Sequence, residues 1–83
     1  MQIQVLDLLS NKTVVLEVEP DHRLEDVIEA AINALGLPPD YIYSIVHGGK
    51  EFGRSHFEKR LIELNIRDGD NIQLIGRPRG GFL

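Results

Sequence analysis

The chain has 83 residues, a net charge of −4, 42% hydrophobic content and no cysteine. That length holds one small domain, and the hydrophobic share is ordinary for a packed core. The missing cysteines exclude disulfide staples, thiolate metal sites and a cysteine nucleophile, and fit a reducing, cytoplasmic setting. The opening MQIQVLDLL has neither a basic n-region nor a long apolar run, so no signal peptide or membrane span is expected. Charge is unevenly placed: residues 1–53 carry three basic and nine acidic groups, residues 54–83 six and four. An acidic body with a mixed C-terminal third argues against nucleic acid as the main partner, since phosphate binding needs a broad cationic face.

In chain order, QIQVLDLL alternates so that Ile3, Val5 and Leu8 face inward, a strand with a slip near its end. Ser10-Asn11-Lys12 reads as a turn, and the β-branched run from Thr13 to Val18 pairs back as a hairpin that Pro20 stops. Leu24, Val27, Ile28, Ala31, Ile32 and Leu35 then recur at three- and four-residue steps, the stripe of an amphipathic helix. Asp21, Glu25 and Asp26 complement its positive end, Gly36 closes it, and Pro38-Pro39 forbids continuation.

Tyr41 to His47 is a third strand, broken by Gly48-Gly49. Residues 58–64 form a short helical turn, Asp68 to Asn71 a turn, and Ile72 to Ile75 a last strand ended by Gly76 and Pro78. One helix of about three turns buries its stripe only against a sheet. The order β-β-α-β, short helix, β therefore predicts an α+β roll, the β-grasp arrangement with a mixed sheet on a single helix. Residues 1–76 are expected to be the domain and 77–83 a flexible tail, because the Gly80-Gly81 pair in RPRGGFL is a poor element of any core.

The motifs MQIQV, LEVEP at 16–20, LPPD at 37–40, GK at 49–50, LNI at 64–66 and RPRGG at 77–81 resemble those of ubiquitin and the ubiquitin-like modifiers, in the same order. The resemblance covers the chain up to Gly81, with about five extra residues before the glycine pair. It implies a protein modifier, not an enzyme, with no cofactor of its own. The Gly81 carboxylate would be adenylated by an activating enzyme that uses ATP. It would then pass as a thioester through a conjugating enzyme, with or without a ligase, to lysines of target proteins. Arg77, Arg79 and Gly80 would be read by those enzymes, the arginines by docking on carboxylates. Phe82 and Leu83 lock the Gly81 carbonyl in a peptide bond, so processing between Gly81 and Phe82 by a protease is implied. In prokaryotic systems of this kind that protease is a zinc metalloprotease, and divergence from eukaryotic ubiquitin points to an archaeal or bacterial source. The modifier is expected to be monomeric, without membrane or nucleic-acid partners.

The resemblance also implies an interaction patch on the open sheet face, made of Leu9, Ile45 or Val46, and Ile75. The choice between Ile45 and Val46 depends on a one-residue register at 43–49, and a slip exchanges the faces. An outward Val46 requires a buried Tyr43 with a partner for its hydroxyl. Gln73 stands where ubiquitin carries a patch histidine. Lys12 and Lys50 are the candidate chain-linkage lysines, the plain alternative being solvated lysines on a singly attached modifier. His22, His47 and His56 match no metal-ligand spacing. Two other readings share the fold: a sulfur carrier with a Gly81 thiocarboxylate, and a binding module that is never conjugated.

Overall fold

A computed structural model describes residues 1–80. The first hairpin comprises β1 (Gln2–Asp7) and β2 (Lys12–Glu17), paired antiparallel from Gln2–Glu17 to Asp7–Lys12. Asn11 takes a left-handed φ of 62° to close the turn. β1 alternates cleanly, with Ile3, Val5 and Asp7 inward. Leu8, expected inward, is instead exposed in the turn. The third inward place belongs to Asp7, 1% exposed, whose Oδ2 accepts from the Ser10 amide at 2.9 Å and the Ser10 hydroxyl at 2.5 Å. A buried carboxylate is tolerated there because local donors replace its water.

Helix α1 (Leu24–Leu35) buries Leu24, Val27, Ile28 and Ala31 and closes at Gly36 with φ 65°. Its N-cap is Arg23, whose side chain accepts nothing; Asp26 reaches back to take the Arg23 amide at 2.9 Å. Two further orphan amides of the first turn are satisfied by a later segment. Leu24 donates to the Lys59 carbonyl and Glu25 to the Phe57 carbonyl, both at 3.0 Å. The chain between strands is thereby pinned across the helix start, and Leu61 returns the contact by donating to the His22 carbonyl at 2.9 Å.

β3 (Tyr41–His47) is followed by a strand that the sequence reading missed, β4 (Lys50–Phe52). Gly48 and Gly49, with φ 59° and 80°, form a two-residue reversal between them. The turn expected over 58–64 forms as a 3-10 turn at Leu61–Leu64, and a second, unexpected 3-10 turn covers Arg54–His56. β5 (Asn71–Pro78) runs parallel to β1 and antiparallel to β3. The five-stranded order is β2-β1-β5-β3-β4, a mixed sheet with α1 across one face. This is the α+β, β-grasp arrangement. Among the described residues no helix is long and apolar enough to cross a membrane.

β5 does not stop at Gly76: the ladder continues through Arg77–Ile42 to Pro78–Tyr41, two residues past the expected boundary. β1 pairs with β5 only as far as Leu74, so the last residues of β5 form an edge, where proline's missing donor is tolerated. Gly76 faces the core side beneath Tyr43. A Cβ there would stand 2.7 Å from the Tyr43 ring, so the position needs glycine for space.

Candidate functional site

Strand register places each sequence-predicted patch residue. Ile45 is fully buried, paired with Leu74 and Phe52 on the inner face, so its expected outward role is wrong. Val46, half-buried, is the outward residue. Tyr43 is accordingly buried, and its hydroxyl donates to the Pro38 carbonyl at 2.6 Å. Burial, followed by the nearby Asp7 charge, pushes that phenol's pKa up.

On the open face, Thr13, Leu6, Gln73, Val46 and Glu51 form one row across all five strands, set by successive pairings. Ile75 lies one step along β5, opposite Ser44 and diagonal to Val46. It is half-buried rather than part of the core. The Leu8 amide donates to the Leu74 carbonyl at 3.0 Å, which brings the exposed Leu8 and Leu9 to the same end of the sheet as Ile75. The register thus puts Val46 and Ile75 on one face together with Leu6, while Leu9 is exposed in the turn that follows β1. Lys12 and Lys50 open β2 and β4, and both are exposed.

The terminal strand carries a polar network that the sequence reading did not find. Glu51 Oε2 accepts from the Ser44 hydroxyl at 2.5 Å and from Arg77 Nη1 at 3.0 Å. The Ser44 hydrogen bond first, and Arg77 second, hold the Glu51 carboxyl below its ordinary range. Ser44 is only 4% exposed although it faces outward, because Glu51 and Arg77 close over it. Arg77, expected in a loose tail, is therefore a strand residue tied to the sheet. Gly48-Gly49 was the available signal: a two-residue reversal sets Val46 opposite Glu51 and so turns Glu51 to the open face.

Arg79 and Gly80 are the described residues beyond β5, both exposed, and Gly80 has φ 66°. Gly81 and Phe82, the expected conjugation and processing positions, lie outside the described residues. The histidines are dispersed in role. His22 Nδ1 accepts from the Glu19 amide at 3.0 Å, His47 Nε2 contacts Asp70 Oδ2 at 2.9 Å, and His56 meets the Phe52 ring edge-on. No protein-family model matches the chain.

Proposed function

We propose that this protein is a ubiquitin-like modifier, made as a precursor, trimmed after Gly81 and conjugated through the Gly81 carboxylate to lysines of target proteins. The observation that carries the reading is the junction at Pro78. A strand central to the sheet leaves the β-grasp body there, and Arg79-Gly80 follow as exposed chain leading directly to Gly81. The ordered ubiquitin-like motifs across the chain support the same reading. Two consecutive glycines suit an arm that must enter a narrow channel, because neither presents a side chain. Arg79 supplies fixed charge beside them for carboxylates of an activating enzyme. Arg77, bonded to Glu51 yet exposed, marks where the arm begins and stays available to the same enzymes. Val46, Ile75, Leu6 and Leu9 form the surface by which such a modifier would be read.

The test is expression of an N-terminally tagged chain in the native host, beside a Gly81→Ala variant and a variant truncated at Arg79. The wild type is expected to give higher-mass adducts that resist denaturant and thiol, absent from both variants. Adducts unchanged in both would refute the reading. A Gly81 thiocarboxylate without adducts would assign the chain to sulfur transfer instead.

A further inference from the structure

The 54–60 segment crosses the start of α1 and gathers cations there. One depression is lined by Arg23, Arg54, Lys59 and Arg60, and the neighbouring groove by Arg54 and Arg79. Arg54 belongs to both, so five of the chain's nine basic residues form one band from the helix start to the root of the C-terminal arm. All five are exposed, and none is ion-paired among the described residues, where the pairs are Met1–Glu17, His47–Asp70 and Arg77–Glu51. The backbone bonds from Leu24 and Glu25 to Lys59 and Phe57 hold the segment in place, so the gathering is built into the fold.

The arrangement works against stability. Four cations outnumber the two carboxylates that line the depression, Glu58 and Glu63, and the excess stands beside the positive end of a helix dipole, where anions are favoured. In a chain of net charge −4 this is a local reversal of sign. We infer that the band is a docking surface for an acidic segment of a partner protein, distinct from the open sheet face. Arginine forks match carboxylates two bonds at a time. Glu58 and Glu63 line the same depression and interrupt its positive charge, so it offers separated cations rather than the broad cationic face that a phosphate backbone needs. This inference does not depend on conjugation through Gly81.

The test is an NMR titration of the full chain with an oligo-glutamate peptide, and separately with a short DNA duplex at the same salt. The peptide is expected to shift amides of Arg23, Arg54, Lys59 and Arg60 more than those of β2, and to weaken as salt rises. An R54E/R60E variant should lose those shifts while keeping the wild-type spectrum elsewhere. R54Q/R60Q serves as the second variant, with the same loss expected if the reversal perturbs folding. The proposal is overturned if the peptide leaves the band unshifted, if either folded variant binds it as the wild type does, or if the duplex binds the band more tightly than the peptide.

Discussion

At the scale of single residues, the alternation along β3 decides what is core and what is surface. Ile45→Ala should cost about 2–5 kcal/mol, the usual loss for emptying a buried aliphatic site, read from the urea midpoint. Val46→Ser, one residue on and on the other face, should leave that midpoint nearly unchanged while weakening any partner that uses the sheet face. The reverse pattern would mean the register is displaced by one. Tyr43→Phe removes the hydroxyl that serves the Pro38 carbonyl and should cost about 1 kcal/mol. Gly76→Ala pushes a methyl group against the Tyr43 ring and should cost about 1–3 kcal/mol, as overpacking does. Asp7 shows why some residues were illegible. Its carboxylate takes an inward position that alternation assigns to an apolar side chain, and only the local Ser10 donors make that tenable.

Among elements, α1 was readable to the residue because its stripe, Gly36 and the prolines all agree. β4 was not, since three residues carry too little periodicity and only the Gly48-Gly49 reversal announces it. The length of β5 was also hidden. Gly76 and Pro78 read as stops, yet one makes room for Tyr43 and the other falls on an edge. That extension gives the Ser44–Glu51–Arg77 network its place, and a pH titration tests it. The Glu51 pKa is lowered on folding, so its contribution is complete above the ordinary value of 4.5 and is lost as pH falls through the depressed folded value. Amide shifts of Ile42 and Arg77 should titrate with a midpoint below 4.5, with Glu51→Gln abolishing the step. A midpoint above 4.5 would show that the carboxylate is not held by Ser44 and Arg77.

For the whole molecule, the proposed function assigns different parts to the β-grasp body and the exposed Arg79-Gly80 arm: the body would present surfaces, and the arm would carry the reactive carbon. Intact mass and tryptic peptides of the protein from its native host address that division most directly. Trypsin cuts after Arg79, so every target lysine joined to Gly81 would retain a Gly-Gly remnant. The account predicts a mature chain lacking Phe82 and Leu83, together with such remnants on other proteins. A terminus still ending in Leu83, with no remnant on any lysine, would contradict it.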